Sequence, residues 1–229
     1  MTTAVLARDG SETTGTAPAR VHFGGFEILR AIAAVMVVVH HAGSYAGEAR
    51  TGSLYTLTAV MDSGVAVFFV LSGFLIYRPF VAAQVDGRSA QRVTTFWWRR
   101  VLRIVPAYWI TLTFFWALGA FDLGAEWWRF YLLLQIYSPT TVLNGVTQAW
   151  SLCTEMTFYL FIPIWALALA ALVRRGRTAG QTAAIHLAGC ALLWIGGTLS
   201  RIAVEAWVPS KRGIAFDWLP TNLDLFATG

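Results

Sequence analysis

Five side chains in this 229-residue sequence combine reactive chemistry with apolar surroundings: Arg30, His41, Arg100, Arg103 and Glu155. The first two lie in FEILRAIAAVMVVVHHAGSY (residues 26–45), which is apolar from position 28 to 39 except at Arg30 and carries His40 and His41 near its end. A guanidinium among lipid-grade side chains costs a few kcal/mol on insertion scales and roughly ten or more in simulation, which makes it a functional-site hypothesis by default. Imidazole, with an unperturbed pKa of about 6.5, takes up a proton close to neutrality. Guanidinium forks match phosphate oxygens, and a carboxylate accepts hydrogen bonds from an imidazole or a hydroxyl.

Spacing decides which of these groups can share a site. Arg30 and His41 are eleven positions apart, which on a helix places them within about 20° of one stripe and about 16 Å apart along the axis, with His40 about 80° away. Taken singly, Arg30 reads as a snorkelling side chain and the histidines as interface markers; taken as a pair, they favour a functional stripe. Arg100 and Arg103 form an i, i+3 pair in a basic stretch with Arg88, Arg92 and Arg99, interleaved with Phe96, Trp97 and Trp98. Such a stretch suits an interfacial helix that holds anionic headgroups or a phosphorylated ligand. Glu155 lies in AWSLCTEMTFYLFIP with Tyr159 one turn on, and reads either as a site residue or as an interhelical hydrogen-bonding group. Ser72, with Gly64 and Gly73, belongs to GVAVFFVLSGFLI, where small residues let helices or a ligand approach closely. Neither Ser72 nor Ser151 has a base placed beside it by sequence, so a serine nucleophile is not expected.

The elements that must position these groups follow from composition. The chain is 57% hydrophobic and 13% charged, with fifteen Phe, eleven Trp and seven Tyr, far from the globular balance of about half apolar and a quarter charged. The expectation is an all-α, polytopic transmembrane helix bundle. Expected spans are 26–45, 57–77 (ended by Arg78–Pro79), 104–121 (broken early by Pro106), 149–173 and 182–203. Residues 127–137 are short for a crossing, and 222–229 read as the opening of another span. Five or six spans are thus visible, and the pattern stops midway, as a fragment would. Residues 1–22 read as a disordered tail without a cleavable signal peptide.

The formal charge of +5 is almost all arginine, with Lys211 the sole lysine. These arginines fall between apolar runs, which points to topology and to headgroups or phosphates, with no nucleic acid. The clusters at 78–103 and 174–177 should both face the cytoplasm, with the N-terminus inside and 127–137 not crossing. That layout puts Glu155 near the depth of His41, above an arginine-rich entrance. Cys153 and Cys190 give neither a disulfide nor a metal pattern, no metal site is expected, and His22 and His186 read as interfacial.

Four stretches in this order resemble the acyltransferase-3 family of integral-membrane O-acyltransferases: LRAIAAVMVVVHHAG, GVAVFFVLSGFLI, FWWRRVLRIVPAYW and WSLCTEMTFYLFIP. The likeness covers about 26–163, and LPTNLDLFATG (219–229) is similar to a later family segment. The resemblance implies a membrane acyltransferase domain over 23–229, truncated relative to a domain of about ten spans. It implies transfer of an acyl group, commonly acetyl from acetyl-CoA, to a hydroxyl of a sugar, cell-surface glycan or glycosylated metabolite, in a bacterial cell membrane. Carried over, the family's arginine–histidine pair falls on Arg30 and His41, its paired arginines on Arg100 and Arg103, and its glutamate on Glu155. His41 would then be the base, with Glu155 orienting it or the acceptor. Arg100 and Arg103 would bind acyl-CoA phosphates, Arg30 would hold the donor or fix the helix, and Ser72 and Tyr159 would support the site. The alternative from another class is a transporter or flippase for a lipid-linked glycan, because intramembrane charges serve that role equally well.

Overall fold

The computed structural model describes residues 24–46, 55–89, 91–173, 177–208 and 212–229. The expected tail at 1–22, His22, Arg174, Arg175 and Lys211 lie outside the described residues. Among those described, the chain forms helices and no strand: α1 (Gly24–Tyr45), α2 (Tyr55–Met61), α3 (Gly64–Val85), α4 (Val93–Ala117), α5 (Trp127–Tyr131), α6 (Trp150–Leu172), α7 (Ala179–Trp207), α8 (Arg212–Ala215) and α9 (Leu219–Thr228). Four segments are long and apolar enough to cross a membrane: Gly24–Tyr45, Thr56–Val85, Thr147–Leu172 and Ala179–Trp207. The 25 residues of α4 span about 37 Å by helical rise, enough for a fifth crossing.

Sequence explains the packing. The expected first span becomes α1, which buries only Ala33 and leaves Ile28, Ile32, Val35 and Val38 exposed, as a lipid-facing helix does. It meets α3 at Gly64, where an added Cβ would stand 2.7 Å from Ala33 O and 3.0 Å from Met36 Cβ. Only glycine lets the two backbones come this near. Around α3, the buried aromatics Phe69, Phe80, Phe96, Phe158 and Phe226 join α3, α4, α6 and α9 into the main core. Phe226 stacks between Phe69 and Phe158 at centroid distances of 4.5 and 4.0 Å.

Two expectations are corrected. The second span is cut at Asp62–Ser63 into α2 and α3, and α3 then runs through Arg78 and Pro79 to Val85. Proline removes one helical hydrogen bond at about 3 kcal/mol, but Tyr77, Phe80 and Ala83 around it are buried, and burying such side chains returns about 1.5–3 kcal/mol for each large one. Pro106 likewise leaves α4 continuous, so the basic stretch is no separate helix but the first turns of α4. The segment expected to open a span at 222–229 lies in the helix α9, which packs between α3 and α7. A side chain at Gly73 would collide with the Phe226 backbone.

Residues 127–137 do not form a crossing helix: five residues of α5 are followed by a short 3-10 turn at Gln135–Tyr137. They fold across α4 and the start of α6 around Phe130 and Ile136, both fully buried. Tyr108 Oη donates to Phe130 O at 3.0 Å, Trp109 Nε1 to Tyr131 O at 2.8 Å and Trp218 Nε1 to Ile136 O at 2.9 Å. With this cap not crossing, the long helices alternate in direction. The end of α3, the start of α4 and Arg177 before α7 then share one arginine-rich end, and His40 and His41 mark the opposite end.

Candidate active site

The centre of the bundle holds a polar cluster drawn from three helices. Ser72 on α3 is 4% exposed, and its Oγ donates to Glu155 Oε1 of α6 at 2.6 Å. Tyr159 Oη, one turn further along α6, donates to the same oxygen. The hydroxyls thus satisfy a carboxylate oxygen placed among apolar side chains, where an unpaired charge would be costly. From α4, Trp97 Nε1 donates to Tyr159 O at 3.0 Å, and the Arg100 guanidinium lies 5.2 Å from the Tyr159 ring centre and 5.6 Å from that of Phe96. Cation–π attraction of about 0.5–2 kcal/mol fixes Arg100 there.

Arg100 also lines a cavity of about 230 Å³ with Arg99, Arg103, Gln91 and Phe96. This concentration of guanidinium donors suits an anionic ligand with several phosphate oxygens. The chain Arg100, Tyr159, Glu155, Ser72 therefore runs from that cavity into the core. Four residues singled out by sequence are brought together, with Arg103 at the entrance.

Arg30 and His41 share one stripe of α1, about 60–80° round the helix from Ala33, which faces α3, and they stand at different depths. Phe26 packs on Phe74 at 5.1 Å, two residues beyond Ser72. Counting helical rise from that contact and from Ala33 against Gly64, Arg30 lies about 3–8 Å from the Ser72 level and His41 about 20–24 Å from it. Arg30 is thus nearer than His41 to the depth of Glu155. His41 Nδ1 donates to Val37 O at 2.8 Å, since a carbonyl can only accept; the neutral ring then keeps its lone pair on Nε2. His40 points to α2 instead, with Nδ1 donating to Thr58 O at 2.8 Å and Nε2 at 3.7 Å from Asp62 Oδ1.

Sequence reasoning missed a second buried group. His186, expected at an interface, is 2% exposed. Its Nδ1 accepts from Tyr77 Oη at 2.6 Å, and its Nε2 donates to Gln84 Oε1 at 3.0 Å. Gln84 Nε2 in turn donates to Ala166 O at 3.1 Å, tying α7 to α3 and α6. The available signal was that Tyr77 and Gln84 are seven residues apart and so share a helix face. His186 and Tyr77 border an apolar cavity of about 550 Å³ with Cys190 and Phe226. Among the described residues, no group of His, Cys, Asp or Glu gathers as metal ligands.

The apolar crossings and the polar centre inside them define a multi-pass helical membrane protein with charged chemistry in its interior. The family model described as an acyltransferase domain matches residues 23–210, and the chain belongs to this acyltransferase family. It is 31% identical over 151 residues to the acyltransferase MdmB of Streptomyces mycarofaciens, a match covering 60% of this chain and 37% of that protein. It is 26% identical over 156 residues to the peptidoglycan O-acetyltransferase OatA of Listeria monocytogenes, covering 61% and 23%. It is 28% identical over 185 residues to nodulation protein 10 of Rhizobium leguminosarum bv. viciae, covering 69% and 47%. The chain thus spans less than half the length of each of these curated relatives. No solved structure matches.

Proposed function

We propose that this chain is the part of a membrane-bound O-acyltransferase that moves an acyl group, in the first instance acetyl, from acyl-CoA to a hydroxyl of a sugar, cell-surface glycan or glycosylated metabolite. The observation that carries the reading is the chain of side-chain contacts from the Arg99–Arg103 cavity through Arg100 and Tyr159 to the Glu155 carboxylate. In this reading Arg100 and Arg103 bind the phosphates of the donor, and the positive-inside rule puts their end and the N-terminus on the cytoplasmic side of a bacterial cell membrane. Arg30, nearer than His41 to the depth of Glu155, holds the donor near the thioester or stabilises the oxyanion.

The acceptor oxygen attacks the thioester carbonyl carbon, the carbon–sulfur bond breaks, and the hydroxyl proton passes by way of the base to the departing thiolate. In this reading Glu155 takes that proton on Oε2, while Ser72 and Tyr159 hold Oε1 beside the guanidinium. Ser72 and Tyr159 orient it. His41 remains a second candidate base on one specific ground, its free Nε2; its distance from Glu155 means that the two do not share one reacting hydroxyl in this arrangement. Transport of a glycan, the alternative from another class, draws no support from the relatives' names.

The test is acetyl transfer by the purified full-length protein, read as thiol released from acetyl-CoA and acetate recovered from base-labile esters. Thiol release that depends on acceptor and falls at least a hundredfold in Glu155→Gln supports the reading; no thiol release from the unaltered protein rejects it.

A further inference from the structure

The end of the bundle that carries His40 holds another polar cavity, of about 480 Å³, between the α2–α3 turn, the start of α6, the end of α7 and α9. Asp62, Trp150, Arg201 and Asn222 are in its wall, and Phe69 is at its base. Phe69 precedes Ser72 by one turn of α3, and Trp150 precedes Glu155 by little more than one turn of α6. The cavity therefore sits about one turn beyond the Ser72–Glu155 pair, with the buried Phe69 between them, on the side opposite the arginine cavity. We propose that it is the acceptor subsite, and that it takes a neutral, hydroxyl-rich ring of the sugar class. This inference rests on the transferase reading and adds where the acceptor binds and what its chemistry is.

Charge selects the ligand class. The Asp62 carboxylate is 62% exposed, with His40 at 3.7 Å, and disfavours a phosphate or carboxylate. The Arg201 guanidinium is already committed: it donates to Thr221 O at 2.8 Å and pairs with Asp224 Oδ1 at 3.0 Å. Little positive charge is left for an anion, in contrast to the arginine cavity. What remains is a carboxylate that accepts from hydroxyls and an indole held edge-to-face against Phe69 at 6.1 Å. An aromatic face offers apolar contact to the C–H side of a sugar ring while the polar rim meets its hydroxyls. The volume falls within the usual small-molecule range of about 300–1,000 Å³. Donor and acceptor would thus bind at opposite ends of one bundle, on either side of Glu155.

The test uses the full-length protein in cells lacking the chromosomal copy, with two readouts: base-labile acetate in envelope and secreted fractions, and equilibrium dialysis of radiolabelled acetyl-CoA against purified protein. Asp62→Arg and Trp150→Ala should each lower ester acetate about tenfold or more while acetyl-CoA binding stays within about twofold. Trp150→Phe, which keeps an aromatic face, should retain most of the ester. Unchanged ester in both Asp62→Arg and Trp150→Ala overturns the proposal and leaves the transferase reading intact. Parallel loss of acetyl-CoA binding in those variants also overturns it, by assigning the residues to the donor or the fold. Absence of both ester and acetyl-CoA binding with the unaltered protein removes the transferase reading and this subsite with it.

Discussion

Ser72 and Glu155, 83 positions apart in the chain, meet through a 2.6 Å hydrogen bond between α3 and α6. Tyr159 donates to the same carboxylate oxygen and places its ring beneath the Arg100 guanidinium. One oxygen therefore links the small-residue stretch of α3, the carboxylate of α6 and the basic start of α4.

Glu155→Gln keeps the shape and the capacity to accept from Ser72 but removes the base. Transfer from acetyl-CoA should fall by about 10²–10⁴-fold, the range for loss of a positioned general base, with donor KM little changed. Tyr159→Phe should cost less, about tenfold, because Ser72 still holds the carboxylate. Steady-state thiol release on the full-length protein measures both.

His40 and His41 should separate cleanly. His40→Ala loses the bond to Thr58 and the contact with Asp62, so it should lower thermal stability by about 1–2 kcal/mol with modest loss of rate. His41→Ala removes a bond to its own helix and an edge-to-face contact with the neighbouring His40 ring, and should change stability less than His40→Ala. A rate loss of a hundredfold or more in His41→Ala alone would transfer the base role from Glu155 to His41. Equal losses in the two variants would exclude a special place for the Arg30–His41 stripe.

Arg100→Ala and Arg103→Ala should raise KM for acetyl-CoA about tenfold each, with smaller changes in kcat. Arg100→Lys should not restore wild-type KM, since a lysine lacks the planar fork that lies over Tyr159. Equal KM for wild type and Arg100→Ala would remove this arginine from the donor site.

Asp217 gives a pH signature. Burial pushes its carboxyl up from the ordinary range to about 7, so between about pH 4 and 7 the folded state holds a proton that the unfolded chain has released. Stability should then fall as pH rises through that window and level off above it. Thermal unfolding in detergent should show a higher midpoint at pH 5 than at pH 8, and Asp217→Asn should flatten that difference.

The sequence made the helical class and the arginine end legible because apolar run length and arginine placement are local properties. It also placed Ser72, Glu155, Tyr159 and Arg100 among the candidates, although the contacts joining them are tertiary and no spacing rule shows them. The depth of His41 was misjudged because depth depends on which residues of α1 and α3 lie side by side, and that register is set by Gly64 against Ala33 and Phe26 against Phe74. Pro79 looked like a terminator because local propensity does not register the burial of Tyr77 and Phe80 around it. His186 looked interfacial for the same reason: its partners Tyr77 and Gln84 are 109 and 102 positions away.

A Cβ at Gly73 would collide with the Phe226 carbonyl, and one at Gly197 with the Asp224 amide. The seat of α9 therefore exists only once α3 and α7 stand side by side with those two glycines turned toward it. Lesions at those glycines should leave a polypeptide that is inserted and correctly oriented, yet loosely folded and open to proteolysis.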